Sequence, residues 1–368
     1  MAVDCRAFLL VILAVSLVPG CTSVPPTAPA ETLPEPVYLE VVAVGDMMLG
    51  TDFPVDHLPP DDGAHLLAAM QPYLQNADIT FGNLEGTLLD GGEPVKQCKN
   101  PDRCYLFRSP ERFALNFEQA GFDVISLANN HARDFGEEGR NASMLALAQR
   151  GIHTSGRVGD IASWEVKGQR IAMIAFAPFK NSHDMLDLAE AQRLVTRIKG
   201  EHDIVLISFH GGAEGLNALH IPFANEFYYN EDRGDVVEFA HAVIDAGADL
   251  VIGHGPHVPR ALELYRERLI AYSLGNFCTY YGNSVAGLKG LAPLLQVTLT
   301  EQGEFVQGRI ISARQQRPLG PIPDVSNEAA SLMKRLTEED FPNTPLAVDE
   351  RGQITKRLAS NRDVSSVN

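Results

Sequence analysis

From Leu39 onward the chain alternates short, nearly unbroken apolar runs with longer segments whose apolar positions recur every three or four residues. The runs "LEVVAV" (39–44), "DITFG" (78–82), "DVISLA" (123–128), "RIAMIAF" (170–176), "DIVLISF" (203–209), "DLVIG" (249–253) and "LIAYSLG" (269–275) predict strands. They are β-branched and aliphatic throughout, the pattern of strands covered on both faces. Amphipathic segments at 64–75, 110–120, 137–150, 185–199 and 233–246 predict the intervening helices. "LLQVTLT" and "FVQGRIISA", joined by "EQGE", predict a hairpin rather than another β–α unit. "SNEAASLMKRLTEED" (326–340) predicts one closing helix with Ser326 as its cap. No internal repeat is visible. The pattern describes one mixed α/β domain over residues 39–355, with a polar tail at 356–368.

The front of the chain is patterned differently. Arg6 precedes "AFLLVILAVSLV" (7–18), an apolar run of signal-peptide length that is short for a bilayer span. It leads into "VPGC", which resembles a bacterial lipobox. Residues 1–21 are therefore expected to be a lipoprotein signal peptide, with Cys21 as the lipidated residue. "TSVPPTAPAETLPEPVY" (22–38) is Pro-rich and reads as an extended tether. The expected location is the cell envelope, as a lipid-anchored extracytoplasmic protein.

Composition adds little to the fold but constrains the partners. The formal charge of −17 argues against nucleic acid and against a bare anionic lipid surface. An extended polyanion would also be repelled unless cations locally reverse the sign. Cys98 and Cys104 close the short polar loop "CKNPDRC", a plausible disulfide in an oxidising envelope compartment. Cys278 is expected in the core.

Polar residues collect at one recurring place, the ends of the predicted strands. Asp46 follows "VVAVG", Asn83 and Glu85 follow "DITFG", and Asn129, Asn130 and His131 follow "VISLA". His210 and Glu214 follow "IVLISF", His254 and His257 follow "LVIG", and Asn276 follows "AYSLG". Any one of these is ordinary turn chemistry. Six strand ends carrying Asp, Glu, Asn or His beside glycine point to a ligand site at the carboxyl edge of a sheet. Imidazoles with carboxylate and amide oxygens form the donor set of manganese, iron or zinc. No strand is followed by a G-x-G-x-x-G fingerprint, which counts against a nucleotide-binding module. His153, His183, His220 and His241 lack a strand-end setting and read as structural or surface residues.

"GDMMLG", "NLEG", "GFDVISLANNHARDFGEEG", "HGGAEG", "DAGADLVIGHGPHV" and "IAYSLGNF", in this order over about residues 39–280, together resemble the CapA-type poly-γ-glutamate capsule biosynthesis family. That family resembles the calcineurin-like metallophosphoesterases. The resemblance implies an α/β sandwich of two mixed β-sheets flanked by helices, with one or two divalent metal ions at the strand C-terminal ends. It implies Asp46 as a first metal ligand and Glu85 as a bridging or second-metal carboxylate. Asn130 would bind metal while His131 protonates the leaving group, and His210, His254 and His257 would be the remaining imidazole ligands. Asn83, Asn129, Glu214 and Asn276 would support the ligands or touch substrate.

The sequence departs from the family pattern at three positions. Gly211 follows His210 where an aromatic is usual, and Gly255 stands where a histidine is common. Met48 occupies the place of a histidine ligand of the metallophosphoesterases. These departures imply a mononuclear or weakly bimetallic centre. Asp134, three residues after His131, is placed either to orient that imidazole or to cap the helix starting near Gly136. Two functions follow. One is a metal-dependent hydrolase acting on a phosphoester or, as the family association implies, a γ-glutamyl polymer, alongside capsule synthesis or export machinery. The other is a non-catalytic accessory protein that binds or guides an anionic capsule polymer.

Overall fold

The computed structural model describes residue 1, residues 37–96 and residues 104–357. The signal-like segment, Cys21, nearly all of the Pro-rich stretch, Cys98 and the tail beyond 357 lie outside the described residues. The domain falls within the unit Pro36–Asn368.

Two sheets carry the fold. In chain order their strands are β1 (Tyr38–Met48), β2 (Ile79–Leu84), β3 (Val124–Ser126), β4 (His153–Ser155), β5 (Ala162–Val166), β6 (Gln169–Phe176), β7 (Ile204–His210) and β8 (Leu250–His254). There follow β9 (Leu262–Tyr265), β10 (Arg268–Ala271), β11 (Asn276–Thr279), β12 (Leu294–Thr300), β13 (Phe305–Ile311), β14 (Leu346–Val348) and β15 (Gln353–Lys356). The nine-stranded sheet runs β14-β15-β13-β12-β1-β2-β3-β4, with β11 also paired to β1, and the six-stranded sheet runs β9-β10-β8-β7-β6-β5. Both are mixed. β1 is parallel to β2 and β11 but antiparallel to β12, while β6, β7 and β8 are parallel and β5 joins antiparallel to β6.

The period of two along each strand explains the unbroken apolar runs. Leu39, Val41 and Ala43 of β1 share a core with Met173, Leu206 and Ile252 of the other sheet. The alternate residues Val42 and Val44 pack outward with Phe117 and Leu147. On the six-stranded sheet, Val205, Ile207 and Val251 pack outward with Leu194, Val195 and Phe239. These central strands are thus covered on both faces, and each buried Val, Leu or Ile stabilises the sandwich by about 1.5–3 kcal/mol.

The helices are α1 (Ala114–Ala120), α2 (Gly136–Ala148), α3 (Leu188–Lys199), α4 (Val236–Asp245) and α5 (Glu328–Asp340). Asp187 and Asp235 cap α3 and α4, accepting from Glu190 N and from Val237 N and Glu238 N. Three expectations are corrected. The helix expected over 64–75 is helical only at Gln71–Leu74, because Pro72 has no N–H to give and is tolerated only in a first turn. Ser326 does not cap α5; the Asp324 carboxylate accepts the Glu328 N–H at 3.0 Å. The run "LIAYSLG" is not one strand. β10 ends at Ala271, and the chain crosses to the other sheet, where β11 pairs with β1.

Cys278 is free and buried, and burial pushes its thiol up to about 12. Cys104 is disulfide-bonded; its expected partner Cys98 lies outside the described residues. No helix among the described residues is long and apolar enough to cross a membrane.

Candidate metal centre

The crossing after β10 builds the floor of the site. A Cβ on Gly45 would lie 2.0 Å from the Gly275 carbonyl oxygen, so only glycine lets β1 pass this close. The next residue, Asp46, donates its N–H to that same oxygen at 2.9 Å. Asp46 stands level with Asn83 on β2 and Asn276 on β11. β1 breaks register immediately afterwards, a bulge of the kind that re-aims a side chain.

Asp46, Glu85 and His210 bring one ligand atom each within 4.8 Å of one another, all buried. His257 completes the ring. Its Nδ1 lies 3.1 Å from Asp46 Oδ2 and 3.0 Å from Asn276 Oδ1, and its Nε2 lies 3.5 Å from Glu85 and 3.7 Å from Glu214. His257 has φ +56, a backbone strain that persists only where surroundings hold it and that clusters at functional sites. Asn83 donates to Asp46 Oδ1 at 2.8 Å.

His254 is set differently. It ends β8 beside His210 in register, but its Nε2 donates to the Val44 carbonyl at 3.1 Å, and it is outside the three-residue cluster. Only its Nδ1, buried without a partner, is left for a ligand. Met48 is buried, its sulfur accepting from Gly50 N.

Asn129 and Asn130 divide their work. Asn129 ties the loop, donating to Asn83 Oδ1 and Leu84 O and accepting the His131 N–H. Asn130 instead lines a cavity of about 620 Å³ with His131, Glu214, His257 and Asn276. The alternatives open for Asp134 resolve geometrically. Asp134 Oδ2 lies 2.7 Å from His131 Nδ1, while α2 starts after Phe135 with no side-chain cap. That contact leaves His131 Nε2 for a partner in the cavity.

Two basic residues escaped the sequence reading. Lys96 Nζ lies 3.0 Å from Asp134 Oδ1 and donates to the Asn130 carbonyl at 3.2 Å. Arg233 is buried against Glu214 and Glu231 and lies over the rings of Phe179 and Tyr228. Both line the cavity, yet they arrive from segments with no strand-end signature.

The electrostatics are those of charges gathered out of water. Burial, reinforced by the Asp46 and Glu214 charges, pushes Glu85 up to about 8, against the pull of His257. Burial opposes the charge on His257, but Glu85, Asp46 and Glu214 drive it up to about 10. Burial likewise opposes ionisation of Asp46, yet the His257 hydrogen bond and nearby imidazoles hold it below the usual carboxylate range. Burial lowers His210, His254 and His131, and at His131 the Asp134 charge works the other way.

Buried polar atoms are ordinarily paired. Here both oxygens of Glu85, Nε2 of His210 and Oδ1 of Asn130 are buried without a hydrogen-bond partner. With Asp46 beside them, this oxygen and nitrogen donor set fits a divalent cation.

A sequence profile described as bacterial capsule synthesis protein PGA_cap matches residues 40–281. The chain belongs to that family. The matched PGA_cap span holds every residue of the candidate centre, from Asp46 to Asn276. The capsule biosynthesis protein CapA of Bacillus anthracis is 28% identical over 262 residues, 65% of this chain and 59% of that protein. The PGA biosynthesis protein CapA of Bacillus subtilis (strain 168) is 28% identical over 255 residues, 64% of this chain and 61% of that protein. A probable polyglutamine synthesis accessory protein of Mycobacterium tuberculosis is 29% identical over 269 residues, 64% of each. The chain thus spans about three-fifths of the length of the curated relatives it matches. Among solved structures, the calcineurin-like phosphoesterase YfkN of Bacillus subtilis is 13% identical with a TM-score of 0.41, covering 75% of this chain and 90% of that one. A 5'-nucleotidase precursor of Thermus thermophilus has the same identity and score, covering 82% and 59%. Likeness at that level carries none of the functional reading.

Proposed function

We propose that this PGA_cap protein is a metal-dependent hydrolase of an anionic capsule-type polymer, with a γ-glutamyl amide as the bond cleaved. The observation that carries the reading is the set of unpaired buried acceptors on Glu85, His210 and Asn130, beside Asp46 and below a cavity lined by His131, whose Nδ1 meets Asp134. Asp46, Glu85, Asn130, His210 and His257 would hold one or two ions of manganese, iron or zinc, with His254 contributing through Nδ1. Bound there, the ion supplies positive charge that polarises the scissile carbonyl or a phosphoryl group.

The remaining roles belong to the chain itself. Asp134 holds His131 by Nδ1 and presents Nε2 to the leaving group, to which His131 gives a proton. Lys96 holds Asp134 from behind. Glu214 and Asn276 fix the His257 ring from two sides. A phosphoester is the alternative substrate of the same centre.

One observation favours a second reading, a non-catalytic accessory that binds or guides the polymer. Met48 fills the position of a metallophosphoesterase ligand, and its sulfur is turned to the Gly50 N–H. Elemental mass spectrometry on the purified chain and on an Asp46→Ala/His257→Ala variant separates the two. About one or two equivalents of manganese, iron or zinc, lost in the variant, with chelator-sensitive turnover, is the result expected of the hydrolase. A chain that takes up none of these ions yet binds polymer is the accessory protein. Anchoring to the envelope through Cys21 is part of the proposal, and an unmodified Cys21 in the mature chain removes it.

A further inference from the structure

Two cavities meet at Asn130. The one above the metal centre and a second of about 220 Å³ share Lys96, Asn130 and Phe179 as lining residues. The second is completed by Val95, Asn129, Arg133 and Lys180. Among the described residues, three of the seven that line it are cationic and none is acidic, in a chain with 30 basic and 47 acidic residues.

The neighbouring carboxylates do not cancel this charge. Asp134 answers Lys96. Glu137 answers Arg133 but is shared with the buried Arg140. Arg133 Nε reaches Glu137 at 2.5 Å out of line for a hydrogen bond, and this buried N–H has no acceptor. Lys180 is exposed and has no ion-pair partner among the described residues.

A substrate with one reacting group would need only the first cavity. A second basic cavity that shares Lys96, Asn130 and Phe179 with it suits the next charged unit of a repeating anion. We propose that this cavity is a subsite for the adjacent anionic repeat of an extended polyanion whose reacting bond lies at Asn130 and His131. Arg133 and Lys180 receive the negative group of that repeat, and Phe179 and Val95 cover its apolar stem. The subsite rests on the reading of the centre as one that acts on a polymer. It also answers the difficulty raised by the net charge: the sign is reversed locally, along the path the polymer takes.

The test is fluorescence anisotropy with two labelled γ-linked glutamate probes, a dimer and an oligomer long enough to reach both cavities. The proteins are the parent, Lys180→Gln and Arg133→Gln/Lys180→Gln. Two partly exposed ion pairs predict oligomer binding about fivefold to twentyfold weaker in the double variant. The dimer should be unaffected, and the salt sensitivity of oligomer binding should shrink. Lys180→Gln alone, at an exposed side chain with no ion-pair partner among the described residues, should show part of the loss with an unchanged melting temperature.

A parent that binds oligomer and dimer equally overturns the subsite, as do variants that bind the oligomer as the parent does. Inorganic tripolyphosphate serves as a second repeating anion. If it binds in place of the glutamate oligomer and is lost in the variants, the subsite stands and the γ-glutamyl reading falls. Loss of oligomer binding in the variants of a chain that takes up no metal likewise supports the subsite while removing the hydrolase.

Discussion

Gly255 rests against Gly211. A Cβ on Gly255 would lie 2.7 Å from the Gly211 carbonyl oxygen and 3.0 Å from its nitrogen, and Gly211 donates its N–H to the His254 carbonyl at 2.9 Å. At Gly211 a Cβ would lie 2.6 Å from the sulfur of Met185. The two departures from the family pattern are therefore one arrangement, backbone against backbone, with Met185 packed against Gly211. Gly255→His, which restores the commoner family residue, should be harmful here. Gly255 has φ +113, a conformation that costs a side-chain-bearing residue about 1–3 kcal/mol. Urea unfolding should show a loss of at least that size; an unchanged midpoint would mean that the 254–257 loop can move away.

The His131–Asp134 contact makes a prediction about proton transfer. His131→Ala should lower turnover about 10²–10⁴-fold, the usual worth of a positioned acid, and leave bound metal in place. Asp134→Asn should act through His131. The carboxylate raises the imidazole's pKa against the lowering effect of burial, so its loss lowers that pKa further. The fraction of His131 able to give a proton then falls, and the limb of the pH–rate profile that needs it moves to lower pH. A profile that keeps its shape while only the rate drops would deny Asp134 this role.

Glu226 and Arg260 form a buried pair that holds the cavity wall. Arg260 donates from Nη1 and Nη2 to Glu226 at 2.8 and 2.7 Å and from Nε to the Ala218 carbonyl. Glu226 also accepts the Ala213 N–H. The pair joins the loop carrying Glu214 to the hairpin carrying Arg233. Glu226→Gln leaves a guanidinium buried without its countercharge and should cost about 3–5 kcal/mol. Replacing both, as Arg260→Met/Glu226→Leu, should cost less than the single change. Equilibrium denaturation of the two variants decides it.

The strand ends were legible because an apolar run that gives way within a few residues to Asp, Glu, Asn or His is visible in one dimension. Asp46, Glu85, Asn130, His131, His210 and His257 all carry that mark, and the fold gathers them around one cavity or its floor. Lys96 and Arg233 carry no such mark, since Lys96 reaches the cavity from a loop and Arg233 from a short hairpin strand, Glu231–Gly234. Arg260 and Glu226 are 34 residues apart, and nothing in either segment announces the other. "LIAYSLG" misled because an apolar run records burial and does not record which sheet buries it. For Asp134, a spacing of three residues served an imidazole partner and a helix cap equally well. Only the fold distinguishes them.

Glu137 supplies a pH dependence of stability. Burial opposes its charge, but hydrogen bonds from Asn181 and Arg140 and the charges of Arg140 and Arg133 hold its carboxyl down to about 2. A folded-state pKa below the unfolded value contributes stability that is complete above the unfolded value. That contribution is lost as pH falls toward the folded one. Arg140, nearly inaccessible, depends on this carboxylate. About a third of Glu137 is exposed, so solvent screening reduces its worth to about 1–2 kcal/mol, below that of a fully buried pair. Glu137→Gln should therefore be less stable than the parent by about that amount at neutral pH. The gap should narrow as pH falls from about 5 toward 2. Parallel unfolding curves for the two proteins across that range measure it, and a gap independent of pH would mean that the loss is one of shape and not of charge.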